Sequence, residues 1–210
     1  MAKYYTGVGS RETPEQILKM MTDLAYHLSL QGWTLRSGGA WGADEAFQKG
    51  VTDYSNIFLP YKNFRKDEGI QGRWINDPEL TSQAMYIMSQ KKGHPHWEHW
   101  LNNNSQASNV RLHMRNVFQV LGENLNDPAK FLVCWTRDEA CTYDETSYAT
   151  GGTGTAIRLA HIYGVPVFNL SKLEHKIRIE NWINELKEES LKKIECSSQI
   201  IPSKKTKFKY

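Results

Sequence analysis

Apolar residues along the chain switch between two periods. Short apolar runs alternate with longer stretches in which apolar side chains recur every three or four positions. This is the pattern of strands feeding helices, and it predicts a parallel sheet covered on both faces. Residues 4–8 read as the first strand. Thr13-Pro14-Glu15-Gln16 then offers an N-cap, a proline for the first helical position and a capping-box glutamine, ahead of Ile17, Met21, Leu24 and Leu28 at helical spacing. Gly32 stops that helix, Trp33 to Ser37 reads as the second strand, Ala43 to Lys49 as a short helix, and Asn56 to Leu59 as the third strand, ended by Pro60. From Tyr61 to about Asn104 the periodicity weakens, aromatic, basic and histidine residues accumulate, and only 78–90 keeps helical spacing. That segment predicts an insertion folded against the sheet. Val110, Met114, Val117 and Leu121 restore the helical period, and the run Lys130-Phe-Leu-Val-Cys-Trp135 predicts a buried central strand. Residues 151–164 form a glycine-opened helix and 165–170 a strand, while Ile179, Trp182, Ile183 and Leu186 mark the face of a last helix. The expected architecture is an α/β, Rossmann-like three-layer sandwich with a mostly parallel central sheet. One domain over residues 1–202 carries the aromatic-rich insertion (61–104), and a basic, flexible tail follows at 203–210.

Composition narrows the class. With 40% hydrophobic and 23% charged residues among 210, the chain is that of an ordinary globular protein, and no apolar run is long enough to span a bilayer. The opening Met-Ala-Lys-Tyr-Tyr lacks the features of a secretory signal, so a cytoplasmic protein without membrane partners is expected. Cys134, Cys141 and Cys196 are unpatterned, which suits reduced thiols, with Cys134 in the core. The net charge of +3 is unevenly placed. Lys204, Lys205, Lys207 and Lys209 lie in the last seven residues, leaving 22 basic against 23 acidic side chains in the body. A body of net charge −1 lacks the basic stripe by which proteins neutralise nucleic-acid phosphates.

Three glycine-rich segments carry the candidate chemistry. Thr6-Gly7-Val8-Gly9-Ser10-Arg11 lies between the first strand and first helix, where glycines admit a ligand close to the backbone and Arg11 offers a fork to phosphate. Taken alone, the motif reads equally as a tight turn. Ser37-Gly38-Gly39-Ala40-Trp41-Gly42-Ala43-Asp44 repeats the arrangement after the second strand, at the sheet edge where open α/β folds place ligands. Asp44 suits a ribose hydroxyl or a cap on its own helix, and Trp41 a base or a neighbouring helix. The strongest signal is Thr150-Gly151-Gly152-Thr153-Gly154-Thr155 with Arg158 one turn on, a dense set of donors at a helix N-terminus suited to an anion. In the insertion, His94, His96, Glu98 and His99 invite a metal reading. Pro95 breaks their spacing, so none is assigned. Tyr61, Phe64, Trp74, Trp97 and Trp100 in one segment suggest either a lid over a bound base or core.

Val8-Gly9-Ser10-Arg11 followed by Ser37-Gly38-Gly39-Ala40, Gly42 and Asp44 resembles the core of the Smf/DprA DNA-processing family. Leu112-His113-Met114-Arg115-Asn116 and Gly151-Gly152-Thr153-Gly154-Thr155 resemble the two signatures of the Lonely Guy phosphoribohydrolases. Together they resemble the SLOG superfamily that unites both, over roughly residues 4–60 and 108–170, and short DprA-like proteins of tailed phages. The resemblance implies a homodimer and a nucleotide site built from Gly9, Ser10, Arg11, Ser37, Gly38, Gly39, Trp41, Asp44, Arg115, Gly151, Gly152, Thr153, Gly154, Thr155 and Arg158. It also implies a catalytic glutamate, and at the matching position this chain has Arg158. A guanidinium neither activates water nor stabilises a ribosyl cation. Hence the leading expectation is binding or sequestration of a small nucleotide, such as an ADP-ribose-type or cyclic signal, without a cofactor. In a phage-infected cell that would counter host immune signalling. A nucleoside-monophosphate N-glycosidase using Asp138, Glu139, Asp144 or Glu145, and a DprA-like binder of single-stranded DNA, are the alternatives.

Overall fold

The computed structural model describes residues 3–90 and 107–199. Strands β1 (Lys3–Gly7), β2 (Trp33–Ser37), β3 (Ser55–Leu59), β4 (Arg73–Trp74), β5 (Leu132–Cys134) and β6 (Val167–Asn169) alternate with helices. The helices are α1 (Glu15–Leu30), α2 (Ala43–Gly50), α3 (Pro78–Gln90), α4 (Ala107–Leu121), α5 (Gly154–Ile162) and α6 (Leu173–Gln199). All strand pairs are parallel and the order is β4-β3-β2-β1-β5-β6. The chain therefore winds outward from β1 to one edge, crosses to the other side of β1, and winds outward again.

Strand side chains alternate between two cores, as the period of two requires. Val8, Phe58, Leu132 and Cys134 pack with residues of α3, α4 and α5. Tyr5, Leu35, Ile57, Leu59, Phe131 and Val133 pack with residues of α1, α2 and α6. Ile179, Ile183 and Leu186 of α6 are buried as their spacing predicts, and burial raises the Cys134 thiol, which makes it an inert core group. The fold is thus the expected three-layer α/β sandwich, with a sheet parallel throughout. No helix among the described residues is long and apolar enough to cross a membrane.

Two local readings change. Thr13 does not cap α1. Its hydroxyl donates to the Ser10 carbonyl (2.7 Å), the Ser10 hydroxyl accepts the Glu12 amide (3.1 Å), and the N-cap is Pro14 with no side-chain bond. The threonine closes the loop after β1 instead of opening the helix. The described part of the insertion also belongs to the core. It supplies edge strand β4, and Phe64, Ile75, Ala84 and Met88 are buried.

Arg36 on β2 is buried with its fork on the loop after α4. It donates to the Asp127 carbonyl (2.5 Å) and carboxylate (2.8 Å), while its guanidinium covers the Tyr4 ring at 3.8 Å. Asp127→Ala removes the counter-charge but leaves Arg36 in place. Because Asp127 is itself half exposed, we expect about 2 kcal/mol of lost stability, less than for a broken pair with both partners buried. The loss reads as a lower denaturant midpoint at unchanged slope; an unchanged midpoint would count against the pairing.

Candidate functional site

Strand order fixes where a ligand fits. The chain leaves β1 toward β2 and later returns to its other side as β5, so the loops after β1 and β5 diverge and leave a crevice at the carboxyl ends of the strands. A crevice of about 890 Å³ lies there, within the usual range for small-molecule sites. Gly9, Ser10 and Arg11 line it from the loop after β1, Asp44 from α2, Arg115 from α4, Gly151, Gly152 and Thr153 from the turn before α5, and Arg158 from α5. These are nine of the positions the sequence singled out.

The other six support the crevice from outside its lining. The Ser37 hydroxyl donates to the Gly7 carbonyl (2.7 Å). Gly38 is a glycine because Arg115 and Gln119 pack where its Cβ would be, and Arg115 Nη1 donates to its carbonyl (2.6 Å). The Gly39 carbonyl accepts from Arg65 (2.9 Å). Trp41 lies between cations, with Arg11 at 5.6 Å and Arg65 at 4.5 Å from its ring, and its indole donates to Glu68 (2.9 Å). Gly154 and Thr155 are buried in the first turn of α5, and Thr155 meets His113 Nδ1 at 2.7 Å. The described aromatic residues of the insertion form no lid. Tyr61 and Phe64 stack edge to face with Phe64 in the core, and neither they nor Trp74 line the crevice. Trp97, Trp100 and the histidines at 94, 96 and 99 lie outside the described residues.

Asp44 binds the loops together. It is the second residue of α2, only 2% exposed, and does not cap that helix. Its carboxylate accepts the Ala40 amide (3.3 Å) and faces Arg115 Nη1 at 3.6 Å. Burial pushes the Asp44 carboxyl up, against the pull of Arg115 and the backbone amides. Burial likewise lowers Arg115, which stays protonated as guanidinium does in proteins. From the same helix Asn116 Nδ2 donates to the Gly152 carbonyl (2.8 Å), so α4 grips both the second and third glycine segments.

The third segment is a short 3-10 helix, Tyr148–Thr153, running into α5. Gly151 has φ 61° and ψ −148°, a conformation that side chains disfavour. A Cβ on either Gly151 or Gly152 would meet nothing within 4 Å, whereas Gly154 is ordinary helix with φ −55°. The left-handed requirement therefore falls on Gly151 and not on Gly154. Asp138 anchors the turn. It accepts hydrogen bonds from the Ser147 (2.6 Å) and Thr150 hydroxyls, which hold its carboxyl below the usual range even though burial opposes ionisation. Glu145 accepts the Cys141 and Thr142 amides and meets Lys172. None of the four carboxylates proposed for hydrolysis lines the crevice.

Four arginines and two carboxylates line the crevice, an excess of two positive charges. Both carboxylates are paired: Asp44 with Arg115, and Glu12 with Arg137 at 2.7 Å across the mouth. Arg158 is buried, its Nε donates to Thr146 (2.7 Å), and its cation lies 5.8 Å from the Tyr143 ring. Such a wall suits an anion.

No family model and no curated protein matches the chain. Among solved structures it is similar to DNA processing protein A from Helicobacter pylori, described for its single-stranded DNA binding mode. The match covers 90% of this chain and 81% of that one at 12% identity, with a TM-score of 0.37. A score of that size carries nothing about ligand or activity, and the fold rests on strand order and register.

Several residues that build the site were not singled out as ligands. Arg137 follows β5 in a polar loop and joins the crevice only because β5 lies beside β1. Asn169 holds that loop in place. Its side chain donates to Thr136 (2.6 Å) and the Ala140 carbonyl (2.9 Å) and accepts the Thr136 and Ser171 amides. A polar residue ending an apolar strand is the one signal that could have marked it. Tyr148, fully exposed at the crevice, stands three residues before Gly151.

Proposed function

We propose that the crevice binds a small phosphate-bearing nucleotide and that the protein acts as a binder or sequestering agent. The observation that carries this reading is the pairing of an arginine-rich wall with two glycines whose Cβ directions open onto empty space. An anion seated over Gly151 and Gly152 lies at the N-terminal end of α5, where the helix dipole favours negative charge, and the arginines supply charge from other elements. Arg158 belongs to this wall as a cation. It offers no general base, because guanidinium does not give up its proton at accessible pH.

Salt dependence separates this reading from single-strand binding. A small ligand held in a crevice neutralises few charges, so its affinity falls gently with salt. A strand lying along the surface displaces many counterions and loses orders of magnitude between about 50 and 200 mM salt. We expect ADP, titrated calorimetrically, to bind with the gentle slope, and deletion of residues 203–210 to leave that affinity unchanged. Tight oligonucleotide binding with a steep slope, undisturbed by ADP and retained after the deletion, would refute the small-ligand reading.

A further inference from the structure

Tyr148 combines two properties that sit poorly together unless a ligand uses them. Its side chain is fully exposed, yet the backbone that carries it is tightly held. The Ser147 hydroxyl accepts the Ala149 amide (3.1 Å), the Thr150 hydroxyl accepts the Ser147 amide (2.7 Å), and both hydroxyls donate to Asp138. Asp138 in turn follows β5, so the turn is tied to the sheet itself. An aromatic ring displayed on a fixed backbone keeps little freedom to lose on binding.

Position adds chemistry to this rigidity. Tyr148 lines the same crevice as Gly151 and Gly152. Three residues of 3-10 helix rise about 6 Å, and the regular course from Tyr148 breaks at Gly151, where the open glycine stretch begins. The ring and the two open glycines thus line one crevice and are offset along the turn by a distance of the order that separates the phosphate and base of a nucleotide. Gly151 and Gly152 carry no side chain to obstruct the space between.

We infer that Tyr148 is the base-stacking residue of the site and that the ligand class is a nucleotide whose phosphates lie at Gly151–Gly152 with the base against this ring. The assignment rests on the nucleotide reading given above. It selects for an aromatic base over sugar phosphates or inorganic polyphosphate, because only a base presents a flat face to the ring. A π-face is common to all bases, so the ring selects the class and other lining groups select the member.

ADP and pyrophosphate carry the same diphosphate with and without a base, which makes them the probes for calorimetry. Tyr148→Ala is expected to weaken ADP about tenfold and leave pyrophosphate unchanged, while Tyr148→Phe keeps both affinities. ADP binding equally well to Tyr148→Ala overturns the stacking role and leaves the nucleotide reading intact. Equal weakening of pyrophosphate overturns it too, since Tyr148 would then act on the loop. A wild type that binds neither probe ends both proposals. A wild-type dimer that becomes monomeric in Tyr148→Ala by sedimentation reassigns the ring to a second copy. An oligonucleotide that binds more tightly than ADP, and loses as much on the substitution, reassigns it to a strand.

Discussion

Gly152→Val is expected to weaken nucleotide binding by up to about a hundredfold while the protein stays folded. The substituted Cβ meets no atom of the protein within 4 Å, and the positive φ of this turn belongs to Gly151, not to Gly152. Neither crowding nor backbone strain therefore penalises the free protein, and its stability should hold within about 0.5 kcal/mol. The valine methyls instead occupy the floor on which the phosphates rest. Overpacking of that kind costs up to ~3 kcal/mol, or about a hundredfold in affinity. Calorimetry with ADP and thermal melting of the same sample read the two effects separately. Undiminished affinity would remove the glycine floor from the site. Gly151→Val is a poorer probe because φ 61° with ψ −148° would strain any side chain.

Asp44→Ala should cause the largest loss of stability of any crevice substitution, about 3 kcal/mol. Arg115 is left with its side chain 10% exposed and its charge opposed by no carboxylate, and the Ala40 amide loses its acceptor. Asp44→Asn keeps an oxygen for Ala40 and should cost less. Removing both charges, in Asp44→Asn with Arg115→Met, should recover part of the loss, since an absent buried pair is better tolerated than a broken one. Chemical denaturation of the wild type, Asp44→Asn, Arg115→Met and the double variant gives the coupling directly. Additive losses would show that the two side chains do not act as a pair.

The layered fold was legible because its signals are local. Apolar alternation and helical spacing placed β2 and α3 at their observed bounds, and Ile179, Ile183 and Leu186 on the buried face of α6. Of the candidate crevice, the glycines and arginines that line it stood out in the sequence, but not which glycine makes room for what. Gly38 and Gly152 look alike in sequence. One makes room for Arg115, which lies far along the chain, and the other leaves space open to a ligand. The Asp44–Arg115 and Glu12–Arg137 pairs join residues that only strand order brings together, and local spacing holds no record of them. Thr13 misled for a related reason. A capping box is a local pattern, and the Ser10 carbonyl competed for the hydroxyl it needed.

The position of β5 also sets the order in which the molecule can be completed. Thr6 of β1 pairs with Arg36 on one side and with Leu132 on the other. During synthesis at roughly 5–20 residues per second, the second partner follows the first strand by an interval on the order of ten seconds. Until β5 arrives one edge of β1 lacks its partner, and the loop that follows β1 supplies only one side of the later crevice. Contacts so distant in sequence make closure of the sheet the slow, late event of folding. The strand that ends the wait is also the one that brings in Arg137 and Asp138, so the crevice cannot be completed before the exposed edge of β1 is covered.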